Sequence, residues 1–324
     1  MSEKRICVIG AGNWGKNHIK TLRKLGALAG IVETDQTHSR EIQMEYPDID
    51  IFNDVSRALE YNFDGFTVVT PAETHFQIGY QLLTAGYPVL IEKPLALASK
   101  DAETLVMTAE MKGVTLMVGH LLLFHPAVQK IKEFLNAGRI GNLQYIYSNR
   151  LNLGTVRTEE NVFWSFAPHD ISIFQYLIES DPIHISSRGA AYVQEDLYDT
   201  TMTTLAYENN IQGHIYVSWL HPFKEHRLVV VGDKGMIRFD DSAENKPLMI
   251  YDKGIDWAKG KPVKRDGPTE IIDYKPVLPL TLELEYFLNH LSKPPVIANG
   301  ENGLSVVRIL EQATQSMAQC QKSY

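Results

Sequence analysis

Three glycines follow the first apolar segment of the chain at a spacing that could bind phosphate. Ile6-Cys7-Val8-Ile9 runs directly into Gly10-Ala11-Gly12-Asn13-Trp14-Gly15, a G-x-G-x-x-G between a strand and a helix. In such a loop the first glycine permits a tight turn, the second lets the backbone approach a pyrophosphate, and the third lets the helix pack closely. The helix N-terminus adds free N–H groups that face the phosphates. The spacing predicts a dinucleotide site containing Gly10, Gly12, Asn13, Trp14 and Gly15.

An acidic residue at the next strand end supports this interpretation over a merely structural glycine turn. Glu33 ends the apolar segment Leu28 to Val32 and follows Gly10 by 23 residues. A carboxylate at that distance accepts hydrogen bonds from the adenosine ribose hydroxyls. It also repels a 2'-phosphate, so we expect NAD rather than NADP. Ser39 and Arg40 lie close enough to compensate a phosphate, which leaves NADP open.

Two later strand ends carry further candidates for the cofactor. One reads Val69-Thr70-Pro71-Ala72-Glu73-Thr74-His75 and the other reads Leu90-Ile91-Glu92-Lys93-Pro94. Ligands of open α/β sheets bind outside the carboxyl ends of the strands, and a residue before proline is held extended. We therefore expect Thr70, Pro71, His75, Glu92 and Lys93 at the cofactor. The alternative for Lys93 is a solvated lysine before a loop.

The elements needed to position these residues are a parallel sheet covered by helices. The first 120 residues alternate short apolar runs with helical patterns, as in a doubly wound Rossmann domain. Six runs are predicted to be strands: Arg5 to Ile9, Leu28 to Val32, Ile51 to Phe52, Phe66 to Val69, Val89 to Ile91 and Val114 to Val118.

The pattern changes after Pro126 and predicts a second α/β domain with an open, mostly antiparallel sheet. We expect helices up to residue 137 and over 168–179, a strand over 143–151, and five alternating strands between residues 185 and 239. Residues 253–279 look polar and turn-rich, and two helices end the chain. The predicted domains are 1–122, which binds the cofactor, and 123–324, which binds the substrate.

Composition restricts the class of protein. The 324 residues are 44% hydrophobic, as in ordinary globular proteins, and the net charge of -8 argues against nucleic-acid binding. Cys7 and Cys320 are the only cysteines, so we expect no disulfide framework and no paired-cysteine metal motif. The apolar run before Gly10 is only four residues long, too short for a signal-peptide core, and no stretch approaches a membrane span. We therefore expect a cytoplasmic protein.

These motifs together resemble the glucose-fructose oxidoreductase, inositol dehydrogenase and MocA (Gfo/Idh/MocA) family. The resemblance covers nearly the whole chain and rests on the glycine loop, on Thr70-Pro71 with His75, and above all on Glu92-Lys93-Pro94. It implies an active site between a Rossmann domain and a second domain with an open sheet. It further implies that Lys93 is an active-site residue and that His169, in Ala167-Pro168-His169-Asp170, is the substrate histidine. Members are mostly NAD(P)-dependent oxidoreductases of sugars, polyols and nucleotide-activated sugars.

The chain departs from the family pattern at two places. Many members have Asp four residues before the histidine, where this chain has Ser165, so Asp170 is a candidate for an assisting carboxylate. Many members also carry an Asn-Arg or Arg-Arg-Phe pattern after strand six, and nucleotide-sugar 3-dehydrogenases carry Lys-Gln-Asn-Arg. This chain reads Gly119-His120-Leu121-Leu122-Leu123-Phe124-His125 there, so a substrate-binding arginine is missing.

His169 and Lys93 are the predicted catalytic residues. His169 follows Pro168 and is expected in the first turn of its helix, where an imidazole could transfer the hydroxyl proton. The alternative is a histidine packed at a helix end. Lys93 is expected to hydrogen-bond the reacting oxygen, with a pKa lowered beside the positive nicotinamide. We expect no metal, because the nicotinamide supplies the reactive atom.

A polar, cationic and aromatic stretch in the second domain is expected to bind substrate. Its candidates are Arg150, Arg157 and Trp164, together with Asp170 beside His169, and Tyr198 and Asp199 are weaker candidates. Paired arginine donors favour a phosphate or carboxylate, although solvated loop arginines are an equal alternative. Trp219, His221 and Lys224 form a second such group, whereas Tyr145, Tyr147 and Tyr216 suit sheet packing.

The sequence thus predicts an NAD(P)-dependent sugar dehydrogenase or ketoreductase, with a nucleotide-linked sugar as the leading substrate. A free sugar or inositol is the first alternative. A redox-neutral NAD-dependent glycosidase and a non-catalytic NAD-binding regulator also stay open. We further expect a homodimer or homotetramer through the outer face of the open sheet, which Tyr192, Leu205, Ile215 and Val217 would populate.

Overall fold

The computed structural model describes residues 4–321, with side chains through residue 319. The chain divides into two compact units. The first contains Met1–Phe124 and Val277–Arg308, and the second contains His125–Pro276 and Ile309–Tyr324. This division falls two residues from the predicted one, but residues 277–308 return to the first unit. The expectations for the first three residues and for the Cys320 side chain lie outside the described residues.

The first unit contains a six-stranded parallel sheet in the order β3-β2-β1-β4-β5-β6. Its strands are β1 (Ile6–Ile9), β2 (Leu28–Val32), β3 (Asp50–Phe52), β4 (Gly65–Val68), β5 (Val89–Glu92) and β6 (Leu116–Gly119). All of these strands except the edge strand β3 are buried, and they are rich in Val, Ile and Leu, because helices cover both faces of a doubly wound sheet. The chain reverses its direction along the sheet between β1 and β4, the point at which such folds bind ligands.

Helices connect these strands, and the last part of the chain adds one more to the same unit. They are α1 (Gly15–Lys24), α2 (Gln36–Glu45), α3 (Val55–Ala58), α4 (Ala72–Thr84), α5 (Ser99–Lys112) and, from the returning segment, α8 (Pro279–Asn289). Helix α8 packs against α1 and against the short 3-10 helix Leu121–Phe124 that follows β6. Helix α9 (Gly300–Gln321) starts in the first unit and ends in the second.

The second unit contains an eight-stranded sheet in the order β14-β13-β12-β11-β7-β10-β9-β8. Its strands are β7 (Leu143–Leu151), β8 (His184–Ala190), β9 (Thr200–Ala206), β10 (Gln212–Ser218), β11 (Glu225–Gly232), β12 (Met236–Asp240), β13 (Leu248–Ala258) and β14 (Lys261–Ile272). Only the β7 and β10 pair is parallel. The predicted fold, a Rossmann domain with a second, mostly antiparallel sheet, is confirmed.

Helices α6 (Pro126–Asn136) and α7 (Val162–Ile178) belong to this second unit, and α7 packs on β7, β9 and β10. The alternation along the strands places Leu205, Ile215 and Val217 on the covered face, where they are fully buried. The prediction that these three residues lie on the outer face was therefore wrong. Exposed Tyr145, Met202 and His214 lie on the opposite face, and exposed Tyr192 follows the end of β8.

The start of α7 also differs from the prediction. The Asn161 side chain accepts hydrogen bonds from the N–H groups of Phe163 and Trp164, so the helix begins at Val162. Pro168 lies inside the helix, where it provides no N–H for the carbonyl of the preceding turn. His169 is thus in the middle of α7 and not in its first turn.

The stretch 253–279, predicted as polar and turn-rich, forms most of a long hairpin instead. Strands β13 and β14 pair from Leu248 with Ile272 to Ala258 with Lys261. The turn residues Lys259 and Gly260 have φ of 52° and 74°, as the favoured two-residue hairpin turns require. Charged side chains on both strands concealed the β pattern.

Candidate functional site

The glycine loop has the geometry that a dinucleotide needs. Gly10 has a φ of 92°, and a Cβ on it would lie 2.7 Å from the Val69 carbonyl oxygen. A Cβ on Gly15 would lie 2.1 Å from the Gly10 oxygen, so the start of α1 packs against the turn. A Cβ on Gly12 would meet nothing within 4 Å. The first and third glycines are therefore required by the protein itself, and the second leaves its backbone open to a ligand.

A cavity of about 510 Å³ lies beside this loop at the carboxyl ends of β1, β2 and β4. It is lined by Gly10, Gly12, Glu33, Thr70 and Pro71, among others. Two of the predicted phosphate residues, Gly10 and Gly12, thus share one cavity with the predicted ribose residue Glu33, although they come from different strand ends. Its residues fit an adenine dinucleotide.

The Glu33 carboxylate is held in place by the backbone. Its oxygens accept hydrogen bonds from the N–H groups of Ala11 at 3.1 Å and Asp35 at 3.0 Å. His38 Nδ1 lies 3.6 Å from Glu33 Oε2 and also lines the cavity. Sequence reasoning missed His38, because the start of α2 brings it to the carboxylate and no motif marks it.

His75 joins the ends of β4 and β5. Its Nδ1 lies 2.8 Å from the Pro94 carbonyl oxygen and its Nε2 lies 2.9 Å from that of Thr70. The side chain is buried. Both ring nitrogens are therefore occupied by backbone, so His75 shapes the two strand ends, and direct contact with a cofactor stays a prediction.

Glu92 connects the glycine loop to the Lys93 strand end. Its carboxylate accepts hydrogen bonds from Trp14 Nε1 at 2.7 Å and from the backbone N–H of Lys93 at 3.2 Å, and it pairs with His18 Nε2 at 3.0 Å. Burial by itself raises the pKa of Glu92, but His18, Trp14 and Lys93 outweigh that effect and hold it below its usual value. Glu92 and Trp14, both predicted at the cofactor, thus bind each other.

The pairing of Glu92 also explains a glycine that no motif marks. Gly119 lies opposite Glu92 in the β5 and β6 register. A Cβ on Gly119 would lie 2.8 Å from the Glu92 carboxyl carbon. Sequence reasoning noticed neither this contact nor His18, since both depend on the sheet register and on helix packing.

In the second unit, Arg150 and Asp170 form a buried ion pair. Arg150 Nε donates to Asp170 Oδ2 at 2.9 Å and Nη2 donates to Oδ1 at 3.0 Å. Burial lowers the pKa of Arg150, but the charge and hydrogen bonds of Asp170 more than compensate. Both residues were predicted to bind substrate, but each engages the other.

His226 extends this pair. Its Nδ1 lies 3.5 Å from Arg150 Nη1, at the paired position on β11. Burial, followed by the charges of Arg150 and Lys224, lowers the pKa of His226 to about 3. His226 is therefore neutral and accepts the Arg150 N–H. It was not singled out from the sequence.

The remaining candidates lie in different environments. Arg157 is exposed, while its carbonyl oxygen accepts a hydrogen bond from Gln194 Nε2 at 2.7 Å. Trp164 Nε1 donates to Thr314 Oγ1 at 3.0 Å, which leaves its ring as the part available to a ligand. Tyr198 is buried against Gly189, where a Cβ would lie 2.7 Å from the tyrosine ring. His169 is half-buried in α7.

Two other features of the described residues bear on function. Residues 4–321 contain no group of three or more His, Cys, Asp or Glu placed to hold a metal ion. Within that range, no helix combines the length and apolarity needed to cross a membrane.

Comparison with known proteins matches two family models to this chain. Residues 4–120 match the oxidoreductase family with an NAD-binding Rossmann fold, and residues 128–238 match the GFO/IDH/MocA C-terminal domain. UDP-N-acetylglucosamine 3-dehydrogenase of Acidithiobacillus ferrooxidans is 27% identical over 316 residues, 95% of each chain. Its crystal structure superposes with a TM-score of 0.86 over 98% of this chain and 99% of the other, at 26% identity.

A second relative shares a shorter region. Inositol 2-dehydrogenase 1 of Saccharopolyspora erythraea is 30% identical over 204 residues, 58% of this chain and 60% of the relative. The first unit therefore carries the glycine loop and the Glu92-Lys93-Pro94 strand end, and the second unit carries the mostly antiparallel sheet, as the resemblance implied for each. The chain belongs to the Gfo/Idh/MocA family of NAD-binding oxidoreductases.

Proposed function

We propose that the substrate of this enzyme is a nucleotide-linked sugar and that one of its secondary hydroxyls is oxidised. The observation that carries the proposal is the full-length likeness to UDP-N-acetylglucosamine 3-dehydrogenase, which includes both units. The likeness to inositol 2-dehydrogenase 1 covers little more than half of either chain. A free sugar or inositol is therefore the second candidate.

The first unit binds and orients the cofactor in this proposal. The backbone at Gly12 is open to close approach of the pyrophosphate. Glu33, which two backbone N–H groups hold in place, accepts hydrogen bonds from the ribose hydroxyls. The negative charge of Glu33 favours NAD over NADP. When bound, the nicotinamide accepts a hydride from the carbinol carbon, or returns one in the reverse direction.

Lys93 and His169 act on the substrate hydroxyl: Lys93 binds its oxygen and His169 transfers its proton. Lys93 stands at the end of β5 on a backbone anchored by Glu92 and donates a hydrogen bond to the reacting oxygen. His169 removes the hydroxyl proton during oxidation and returns it during reduction. Its position within α7, a helix packed on the sheet, gives the imidazole a rigid base.

The second unit provides the substrate contacts. Exposed Arg157 is the cation for a diphosphate, and the Trp164 ring offers a face to a sugar. Arg150 acts on the substrate through the Nη1 N–H that His226 does not accept, since Asp170 holds Nε and Nη2. Asp170 therefore acts by holding Arg150, and Tyr198 contributes one edge of the binding surface.

A substrate panel tests this proposal. NADH absorbance is followed with NAD and either UDP-N-acetylglucosamine, UDP-glucose, free N-acetylglucosamine or myo-inositol. We expect NADH to accumulate with a nucleotide-linked sugar and not with the free sugar. Turnover of inositol alone would favour the second candidate. Product formation without net NADH would indicate the redox-neutral glycosidase, and cofactor binding without any turnover would indicate a regulator.

We also propose that the chain assembles through the open face of its second sheet. Tyr145 and Met202 are exposed there, on a sheet whose other face is covered by α7. A dimer or tetramer would cover such a face. Light scattering at micromolar concentration is expected to show an oligomer, and a monomer would contradict this proposal. The cytoplasmic location stays a prediction.

A further inference from the structure

A second carboxyl group is buried in the first unit and has no role in the site described so far. Glu283 lies in α8 and is 0% exposed. Neither of its carboxyl oxygens has a hydrogen-bond partner among the described residues. Carboxyl groups are rarely buried without partners, because removing them from water is costly. Glu283 therefore needs an explanation beyond packing.

The nearest explanation is the electrostatic neighbour of Glu283, which is Glu92. Burial raises the pKa of Glu283 well above its usual value, and the negative charge of Glu92 raises it further. Glu92 itself is ionised, since Trp14 and His18 bind its carboxylate. Geometry supports the link, because α8, which carries Glu283, packs against α1, which carries the Glu92 partner His18. Burial and the charge of Glu92 both disfavour a second carboxylate there, so Glu283 keeps its proton while Glu92 is ionised. Hydrogen bonds place the negative charge on Glu92 and the proton on Glu283.

The other titratable groups around the pair come from the elements that pack on α8 or adjoin Glu92. They are His18 on α1, Lys93 after β5 and His120 after β6. Burial lowers the pKa of His120 to about 4, and both of its ring nitrogens lack partners among the described residues. On α8 itself, Glu285 is exposed. The three groups His18, Lys93 and His120 are bases, so none of them adds a negative charge beside the pair.

The position of the pair links it to the cofactor. Glu92 precedes Lys93 at the carboxyl end of β5, the edge of the sheet at which a Rossmann fold receives its ligand. Oxidised nicotinamide carries a positive charge and reduced nicotinamide is neutral. A positive charge near a pair of carboxyl groups stabilises their fully ionised state. Exchange of NADH for NAD thus changes the free energy of losing the proton.

We propose that Glu283 and Glu92 form a buried acid pair that holds one proton in the free enzyme and with NADH, and releases it when NAD binds. The step is a simple ionisation: the O–H bond of the Glu283 carboxyl breaks, its electron pair stays on the carboxylate, and the proton passes to the solvent buffer. Glu283 is then a positioning residue, which acts on Lys93 through the charge of the pair. This inference rests on cofactor binding and needs no knowledge of the sugar.

Proton release on cofactor binding tests the pair directly. Wild-type enzyme in weakly buffered solution with an indicator dye is mixed with NAD or with NADH, and calorimetry on the same samples measures how much cofactor binds. We expect NAD to release a measurable fraction of a proton and NADH to release much less. By linkage, NAD affinity should also rise with pH through the titration of the pair, because the ionised state binds NAD better.

Three variants identify the group that loses the proton. Glu283→Gln keeps the shape and the neutral charge of the protonated side chain but cannot ionise. It should therefore abolish the difference in proton release between NAD and NADH. Glu285→Gln, on the exposed side of the same helix, should leave the difference intact. Lys93→Met retains the acid pair and should still release a proton. Release that persists in Glu283→Gln would overturn the proposal. Release that disappears only in Lys93→Met would also overturn it and would assign the proton to Lys93.

An infrared measurement on the unmodified enzyme keeps the inference testable even if Glu283→Gln fails to fold. The difference spectrum between the NAD and NADH complexes should show loss of a protonated carboxylic acid C=O band and gain of a carboxylate band. Absence of any carboxylic acid band at neutral pH would refute the acid pair. Neither readout requires turnover, so failure of the nucleotide-sugar proposal would leave both results unaffected.

Discussion

Gly12 and Gly15 should respond in opposite ways to the same added methyl group. A Cβ on Gly15 would lie 2.1 Å from the Gly10 oxygen, a distance that real Cβ contacts do not show. Overpacking of this kind costs about 1–3 kcal/mol, which corresponds to roughly 2–12 °C in melting temperature for a domain of this size. Gly15→Ala should therefore melt earlier than wild type and bind NAD poorly.

Gly12→Ala should instead leave the free protein intact. No atom lies within 4 Å of the new Cβ, and the lower entropy of the unfolded chain stabilises such variants by about 0.4–1 kcal/mol. The methyl group blocks close approach of the pyrophosphate. Loss of one charge-assisted hydrogen bond, about 1.5–3 kcal/mol, weakens NAD binding about 10- to 100-fold.

The assay combines thermal unfolding of the free proteins with calorimetric titration of NAD. The expected pattern is a Gly12→Ala protein with a melting temperature equal to or above wild type and a much weaker affinity for NAD. Binding within threefold of wild type would show that the pyrophosphate does not approach Gly12. An unchanged melting temperature for Gly15→Ala would refute the packing argument for the third glycine.

Three further predictions concern the cofactor, the chemistry and the second unit. Calorimetry should show that wild type binds NAD more tightly than NADP. Glu33→Ser should reduce this difference in affinity, because it removes the charge that repels a 2'-phosphate. Equal affinities of wild type for the two cofactors would contradict the prediction. His169→Asn should lower kcat about 10²- to 10⁴-fold with NAD affinity and circular dichroism unchanged. Lys93→Met should lower kcat by at least the same factor. A His169→Asn rate within threefold of wild type would show that another group transfers the proton. Asp170→Asn should destabilise the protein by about 3–5 kcal/mol in denaturant unfolding, because Arg150 would stay buried without its counter-charge. The double variant Arg150→Met with Asp170→Leu should recover most of this lost stability. An Asp170→Asn protein as stable as wild type would show that water compensates the charge of Arg150.

Much of the first unit could be predicted because its chemistry is local. A glycine turn, a carboxylate at the next strand end and Lys93 before a proline occupy positions set by a few neighbouring residues and by the parallel arrangement of the strands. The β13 and β14 hairpin was missed because charged side chains on its strands hide the alternation on which strand prediction depends. The start of α7 was missed because Asn161 caps the helix, which begins at Val162, six residues before the predicted start at Pro168.

By itself, the sequence determined the class of fold, the dinucleotide loop and the family, since each depends on spacing within short segments. Only the tertiary structure decided that Glu92 pairs with Trp14 and His18, that Arg150 pairs with Asp170, and that Glu283 is buried. These partners lie between 20 and 78 residues apart or come from a helix that returns from the far end of the chain. Their pairing follows from strand register and helix packing, which bring together side chains that no local pattern connects.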